Sequence, residues 1–292
     1  MAHPLKTDAE VLSRTAEGAY HRLVLRAPGV ASRVRPGHFA ALAVGGPQSA
    51  LLMRRAFAVH RADPAAETIE LVIAERGPGT RELTRARAGD RLDLIAPLGT
   101  PFPLPEGPVS ALLVGAGHRA APLLDLAAEI AARGGRIGFV LAAATADRLY
   151  GVERARALTP DVLVVTEDGS AGLTGRATDP LAQAILAIDA TVVHASGPVP
   201  MLREASTIAQ GLAARCWTAV EERMACGTGL CTTCVLPVVG PDGVSRFVGS
   251  CTDGPVFDGA KVRWKDIGTV PADLAGADGG GDPGRWPGEG AA

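Results

Sequence analysis

Four cysteines near the carboxyl-terminal end of the chain have a spacing that suits an iron-sulfur cluster. Cys226, Cys231 and Cys234 follow the pattern C-x4-C-x2-C, and Cys251 comes after sixteen further residues. A zinc finger or ribbon normally offers two close pairs of ligands, whereas here three cysteines share one loop and the fourth arrives alone. The plant-type [2Fe-2S] spacing has this form. The pattern therefore favours a [2Fe-2S] cluster, with zinc or disulfides as the alternatives.

The residues between the first cysteines fit the same interpretation. A loop wrapped closely around a cluster must turn its backbone amides inward, and Gly227 and Gly229 permit the positive φ angles that such a turn needs. The fifth cysteine, Cys216, lies outside this loop in the segment "LAARCWTAV". We interpret it as a small buried apolar residue rather than a ligand.

A second stretch that could do chemistry is the glycine turn "LLVGAGHRAAPLL", residues 112–124. An apolar strand leads into it and a helix leaves it, as in a phosphate-binding turn. Gly115 and Gly117 let a dinucleotide approach the backbone, but His118 and Arg119 follow directly. Arg119 could obstruct a nucleotide, or it could bind the phosphate as a cation, and both interpretations stay open.

Two patterns along the chain indicate the elements that must position these groups. From about residue 10 to 104, short β-rich runs alternate with Gly/Pro turns, which predicts an antiparallel barrel or sandwich. From 109 to about 215, continuous apolar strands alternate with amphipathic helices, which predicts a parallel sheet covered on both faces. We therefore predict a multi-domain β plus α/β protein with four parts: a β-barrel at 1–104, a Rossmann-like nucleotide domain at 105–215, a small cluster domain at 216–266 and a disordered tail at 267–292.

Composition excludes several classes of function. The net charge is only −2, with 29 Lys and Arg against 31 Asp and Glu, so no basic field indicates nucleic acid or an anionic membrane surface as a partner. The amino-terminal residues form no apolar signal segment, and the longest apolar runs are far shorter than the roughly 20 residues that span a bilayer. We expect a cytoplasmic protein, where clustered cysteines are more often ligands than disulfides.

The cysteine segment resembles a known family. "EERMACGTGLCTTCVLP", residues 221–237, and "SCTDGPVFDGAKVRW", residues 250–264, resemble the electron-transfer subunit of dihydroorotate dehydrogenase type B, an FAD- and [2Fe-2S]-containing member of the ferredoxin-NADP reductase superfamily. The resemblance extends from about residue 10 to 266. Thr233 stands where relatives usually carry a smaller residue. The resemblance implies four cluster ligands: Cys226, Cys231, Cys234 and Cys251.

By the same resemblance the barrel binds FAD. "MRRAFAV" resembles the family's flavin motif, in which an Arg is followed by any residue, an aromatic or aliphatic residue, and Ser or Thr. The motif falls on Arg55, Ala56, Phe57 and Ala58. It implies that Arg55 pairs with the pyrophosphate and that Phe57 packs on the flavin. Ala58 lacks the family's hydroxyl, which would change the tuning of the flavin more than its binding.

The segment "LVIAERGPGTRELTRARAGDRLDLIAPLGTPF", residues 71–102, resembles the second flavin segment. Three residues would run beside the isoalloxazine and ribityl chain: Val72, Ile73 and Ala74. Gly79 and Thr80 would offer amides and a hydroxyl to the phosphates. We expect the barrel to hold the flavin through these backbone groups and Arg55, without a helix N-terminus of its own.

Two loops resemble the nicotinamide side of the family. "TEDGSAGLTGRATD", residues 166–179, matches the nucleotide loop that contains Asp168 and Gly169. "HASGPVPMLR", residues 194–203, resembles the segment in which Cys-Gly-Pro lies over the nicotinamide, although an ordinary strand-to-helix turn would need the same glycine and proline. Ser196 takes the cysteine position. Together with the glycine turn, the resemblance implies six residues for NAD in these segments: Gly115, Gly117, Asp168, Gly169, Gly197 and Pro198.

The resemblance implies a function that needs a partner. Electrons from dihydroorotate, oxidised in a separate FMN-bearing catalytic subunit, would pass through [2Fe-2S] and FAD to NAD+ in pyrimidine biosynthesis, and the two subunits would form a heterotetramer. Two alternatives remain. One is a related NAD(P)H:ferredoxin-type, sulfur or hydrogenase reductase subunit, and the other is a scaffold that has lost nucleotide binding, because Ala58, Arg119 and Ser196 depart from the family.

Overall fold

A computed structural model describes residues 3–46 and 50–275. The amino-terminal part is a closed antiparallel barrel with the strand order β1-β2-β5-β4-β3-β6. Its strands are β1 (Leu5–Glu17), β2 (Tyr20–Arg26), β3 (Phe39–Leu42), β4 (Arg55–Asp63), β5 (Thr68–Ala74) and β6 (Arg91–Leu98). Alternate apolar residues such as Leu23 and Leu25 point into the barrel and are fully buried. A short helix, α1 (Pro78–Leu83), follows β5.

A parallel sheet forms the second part. Its strands are β7 (Ser110–Ala116), β8 (Arg136–Ala143), β9 (Val162–Thr166), β10 (Leu173–Thr174), β11 (Val192–Ser196) and β12 (Arg215–Ala219). The strand order is β10-β9-β8-β7-β11-β12. Successive strands are added to one side of β7 up to β10 and then to its other side from β11 onward, so the strand order reverses between β7 and β11. In open α/β sheets, ligands bind outside the carboxyl ends of the strands at such a reversal.

Helices cover both faces of this sheet, as the continuous apolar strands predict. They are α2 (Ala121–Ala132), α3 (Val152–Leu158), α4 (Leu181–Ala187) and α5 (Val199–Gly211). Leu123, Leu126 and Ile130 of α2 are fully buried on one face, and Leu181 and Leu202 are fully buried on the other. The predicted fold class, a β-barrel followed by a Rossmann-like sheet and a cluster segment, is confirmed. Within the described residues, no helix has the length and apolarity that crossing a membrane requires.

The cysteine segment is tied to both other parts. It contains the hairpin β13 (Val235–Val239) and β14 (Ser245–Gly249), and then β15 (Val256–Asp258), which pairs antiparallel with β12 at the edge of the sheet. Two of its cysteines pack in one apolar cluster with Phe39 of the barrel. The predicted boundary between residues 215 and 216 falls inside β12, so the sheet continues into the segment that we assigned to the cluster.

The first residues of the predicted tail make defined contacts with the rest of the chain. Leu274 is only 2% exposed, and the Ala275 amide donates a hydrogen bond of 2.8 Å to the Ser245 carbonyl. Arg263 also holds Asp273 with an ion pair of 2.8 Å. Residues 267–275 are therefore anchored, because an apolar side chain and a carboxylate in this stretch both find partners. Residues 276–292 lie outside the described residues.

Candidate functional site

The four cysteines of the predicted cluster lie around one loop. Cys226 and Cys231 lie between β12 and β13, Cys234 immediately precedes β13, and Cys251 follows β14. Cys234 and Cys251 are buried, Cys226 is half-buried and Cys231 is exposed. Folding therefore gives the segment two sulfurs on the protein side and two on the solvent side.

The loop backbone points hydrogen-bond donors at these sulfurs. The Thr228 amide donates to Cys226 Sγ at 3.4 Å. Burial raises the pKa of Cys226, but hydrogen bonds from Thr228 and Cys231 outweigh it and lower the pKa to about 6. Gly227 and Gly229 have the left-handed φ angles of 71° and 87° that the sequence predicted. Inward amides of this kind are what a cluster's sulfurs need.

The sulfurs are arranged as two interacting pairs. Cys226 interacts with Cys231, and Cys234 interacts with Cys251; burial first, and then the contact with Cys234, raises the pKa of Cys251 to about 12. Two thiolate pairs are what a two-iron cluster needs, because it takes two thiolates at each iron.

A cleft of about 480 Å³ opens between the barrel and the end of the sheet. Its apolar wall is formed by Phe39, Phe57, Val72 and Ala74, and its charged wall includes Arg55. An apolar wall suits a flat aromatic ring, and an arginine suits its phosphates. Most of the predicted flavin residues line this cleft: Arg55, Ala56, Phe57, Ala58, Val72, Ala74 and Thr80. Ile73 differs because strand alternation turns its side chain into the barrel core, where it is fully buried.

Arg54 and Arg55 are adjacent in sequence but have different environments. Arg54 makes an ion pair of 2.7 Å with Asp93. Arg55 has no acidic partner in the described part of the chain and donates a hydrogen bond of 2.5 Å to the Met53 carbonyl. Its guanidinium lies against Gly79, where an added Cβ would stand 2.7 Å from Arg55 Nε. Arg55 is therefore the arginine that is available to an anion, and Gly79 leaves the space that it occupies.

The barrel part does contain a helix N-terminus, so that expectation was wrong. Gly79 and Thr80 belong to the first turn of α1, and Thr80 Oγ1 accepts hydrogen bonds from the Arg76 and Gly77 amides at 2.8 and 3.0 Å. The glycine and proline before this turn resembled a plain β-turn in the sequence. Of the residues of α1, Thr80 lines the cleft.

A second cleft of about 470 Å³ adjoins the first at the carboxyl ends of the parallel strands. Both clefts share four residues: Ala74, Arg76, His118 and Arg119. Gly117 and Pro198, predicted for NAD, line the second cleft, whereas Gly115 is near the end of β7 and Gly197 directly precedes Pro198. This cleft lies next to the β7/β11 reversal, which is where the fold type places a nucleotide.

Asp168 and Gly169 shape their loop without lining this cleft. Asp168 accepts hydrogen bonds from the Ser170 hydroxyl at 2.6 Å and the Ser170 amide at 2.9 Å, which lower the pKa of its carboxyl group. The neighbouring Glu167 lines the cleft. An acidic residue after a strand of this sheet type can bind ribose hydroxyls, so Glu167 is better placed than Asp168 to contact a nucleotide.

His118 and Arg119 stand where the two clefts meet. The His118 ring lies 5.2 Å from the Tyr20 ring, and burial lowers the pKa of His118 to about 4, so the ring is neutral at pH 7. Arg119 Nε donates to Glu221 Oε2 at 2.7 Å. No local sequence pattern could predict this contact, because the two residues are 102 positions apart.

Comparison with known proteins identifies the family. Residues 221–263 match the family described as the iron-sulfur cluster binding domain of dihydroorotate dehydrogenase B. The chain is 36% identical over 249 residues to the dihydroorotate dehydrogenase B (NAD(+)) electron transfer subunit of Geobacillus thermodenitrificans (strain NG80-2), covering 85% of this chain and 93% of the relative. The chain belongs to the family of dihydroorotate dehydrogenase B electron transfer subunits. The Listeria monocytogenes serovar 1/2a (strain ATCC BAA-679 / EGD-e) electron transfer subunit is 34% identical over 264 residues, 89% of this chain and 99% of its own.

Solved structures agree with this family membership. The structure of an NADH-dependent reduced ferredoxin-NADP oxidoreductase, described in the context of flavin-based electron bifurcation, has a TM-score of 0.77 and 26% identity, over 93% of this chain and 95% of that chain. A ferredoxin NADP+ reductase from Neisseria gonorrhoeae with bound FAD and NADP has a TM-score of 0.56 and 19% identity, over 70% of this chain and 91% of that chain. The second likeness shows the fold alone. The electron transfer subunit family that the sequence resembled is thus confirmed.

Proposed function

We propose that this chain passes electrons from a dihydroorotate-oxidising, FMN-bearing catalytic subunit through a [2Fe-2S] cluster and FAD to NAD+. The observation that carries the proposal is the continuity of the three sites. Phe39 packs against the buried Cys234 and Cys251 and also lines the barrel cleft. That cleft in turn shares Arg119 with the nucleotide cleft. Each site therefore touches the next through side chains of this chain.

Four cysteines are proposed as the cluster ligands: Cys226, Cys231, Cys234 and Cys251. Their arrangement as two pairs supports this assignment, with one pair for each iron. The half-exposed pair faces solvent, where a partner subunit can approach, while the buried pair faces the barrel. The amides around Gly227 and Gly229 hydrogen-bond the sulfurs and lower the cost of holding negative charge there.

FAD is proposed to occupy the cleft lined by Arg55 and Phe57, and when bound it exchanges electrons either singly or in pairs, which connects cluster chemistry with nicotinamide chemistry. Arg55 binds its diphosphate, and the space beside Gly79 lets the guanidinium lie flat against α1. Phe57 and Val72 exclude water from the ring. Ala58 offers no hydroxyl to the ring, so backbone groups of β4 must serve there.

NAD is proposed to occupy the second cleft. Gly115 and Gly117 form the turn into α2 that receives the dinucleotide's phosphates, and Glu167 contacts the adenosine ribose. The turn of Gly197 and Pro198 after β11 lies at the boundary of the clefts and positions the nicotinamide ring toward the flavin. The His118 ring lines both clefts and is uncharged, so it places no positive charge beside the two rings.

The catalytic partner is proposed to dock on the cysteine loop as part of a heterotetramer. Cys231 is exposed there, and its neighbour Leu230 is 87% exposed. A large apolar side chain in water beside a redox centre favours a protein interface. We expect the complex in the cytoplasm, where cysteines stay reduced and can serve as cluster ligands.

Three measurements test this proposal. The anaerobically purified protein is expected to carry about two irons and one FAD per chain, since one cluster of this type and one flavin site are proposed. NADH is expected to bleach its flavin absorbance. A flavin that responds to dithionite but not to NADH would contradict the proposal and support a scaffold without nucleotide binding. A dihydroorotate:NAD+ assay on the complex co-purified from native cells then separates this function from that of a related reductase subunit.

A further inference from the structure

The Arg119–Glu221 ion pair lies at an unusual place in the sheet. Arg119 follows the carboxyl end of β7, and Glu221 follows the carboxyl end of β12. Strand β11 lies between β7 and β12, so the ion pair crosses above the carboxyl end of β11. The turn that contains Ser196 and Pro198 leaves the sheet at that point. We call this ion pair the Arg119–Glu221 strap.

The strap also lies where the two clefts meet. Arg119 lines both clefts, and Glu221 lines the flavin cleft. Ser196, below the strap, lines the flavin cleft, and Pro198 lines the nucleotide cleft. A dinucleotide that places its nicotinamide against the flavin must pass through this boundary. The strap therefore occupies the path that the proposed function requires.

The two partners differ in how easily they can separate. The Arg119 side chain is 19% exposed, whereas the Glu221 side chain is 55% exposed. A half-exposed carboxylate returns to water at little cost, but a mostly buried guanidinium needs another anion in its place. A diphosphate offers the guanidinium the same paired oxygen acceptors as a carboxylate does.

We propose that Arg119 is a nucleotide-positioning residue that exchanges Glu221 for the diphosphate of the pyridine dinucleotide. This inference rests on the proposed function, because it needs a dinucleotide in the second cleft. Before binding, the strap holds the cleft boundary closed and keeps Arg119 in place. On binding, the Glu221 carboxylate turns to solvent and the phosphate oxygens take over the Arg119 donors.

The exchange predicts opposite effects for the two ends of the strap. Glu221→Gln removes the competing charge and leaves the cation, so ADP-ribose should bind about 2- to 5-fold more tightly. Arg119→Ala removes the strap and the phosphate contact together, so ADP-ribose should bind about tenfold more weakly. ADP-ribose carries the diphosphate without the nicotinamide, so it reports the Arg119 contact without ring stacking.

The experiment uses the full chain, purified anaerobically with its cofactors, and measures ADP-ribose and NAD+ dissociation constants by titration calorimetry. The matched controls are Arg136→Ala and Asp161→Asn, which break an ion pair of 3.4 Å at the opposite edge of the same sheet. Both controls should bind within about twofold of the wild type, because their charges lie far from the carboxyl ends of the strands.

Each outcome decides the matter. Tighter ADP-ribose binding by Arg119→Ala would show that Arg119 only obstructs the cleft, and would overturn the exchange. Unchanged or weaker binding by Glu221→Gln would overturn it as well. If the wild type bound neither ADP-ribose nor NAD+, the proposed function itself would fail. If the wild type bound both ligands and the two variants bound like the wild type, only the exchange at Arg119 would be overturned.

Discussion

Replacing Gly79 with alanine tests the flavin site because it should separate cofactor affinity from stability. Gly79 is in the first turn of α1 and has an ordinary helical backbone, so alanine there should stabilise the helix by roughly 0.5–1 kcal/mol. The new Cβ, however, would stand 2.7 Å from Arg55 Nε and 3.1 Å from Cζ and Nη2. The guanidinium must therefore leave the position that it holds against α1.

The size of the effect follows from the contact that is lost. A hydrogen bond to a charged group contributes about 1.5–3 kcal/mol, so a displaced guanidinium should raise the FAD dissociation constant by about 10- to 100-fold. The assay is a titration of the FAD-stripped protein with FAD, followed by the quenching of flavin fluorescence. The melting temperature of the stripped variant should equal or exceed that of the wild type.

A double-mutant cycle shows whether Gly79 acts through Arg55. Arg55→Ala alone should weaken FAD binding at least as much as Gly79→Ala does. In the Arg55→Ala background, Gly79→Ala should then have almost no further effect. An equal further loss of FAD affinity in that background would refute the reasoning, and so would a Gly79→Ala variant that binds FAD like the wild type.

Further predictions concern the cluster, the core and the partner. Cys231→Ser should lose cluster iron and keep FAD. Cys216 lies outside the loop and is only 2% exposed, so Cys216→Ser should keep both iron and FAD. Equal iron content in the two variants would contradict the ligand assignment. Burial lowers the pKa of His194 to about 3, and its ring nitrogens have no hydrogen-bond partner among the described residues. Below about pH 6.5 His194 binds a proton in the unfolded chain but not in the folded chain. The free energy of unfolding should therefore fall by up to about 1.4 kcal/mol for each pH unit of acidification. His194→Leu should make the melting temperature depend less on pH between pH 7 and 5. Leu230→Lys should reduce co-purification of the catalytic subunit without changing NADH reduction of the flavin; normal co-purification would place the interface elsewhere.

Local signals made much of the fold predictable. The apolar runs that became β7, β8 and β11 are buried on both faces, so their residues reveal a covered parallel sheet without any knowledge of their neighbours. The cluster loop was equally accessible, because three of its cysteines and both glycines lie within nine positions of one another. Here the chemistry and the backbone geometry are encoded in the same short stretch.

Long-range contacts explain what the sequence left out. The Arg119–Glu221 contact depends on how β7 and β12 align across the sheet, which no local pattern records. The short β15 has only three residues, too few for a periodic signal, and it finds its place by pairing with β12. In the same way, the direction of the Ile73 side chain depends on which face of β5 points into the barrel.

The pairing of β15 with β12 limits how this protein can be rearranged. The cysteines come after the flavin and nucleotide regions in the sequence, which suggests that the cluster could be removed or exchanged as a cassette. Cutting the chain after Val220 would also remove β15 and leave β12 as an open edge strand, which favours aggregation. A working graft must therefore carry the hairpin and the returning strand together. The order of the cofactor sites along the gene does not mark where the protein can be divided.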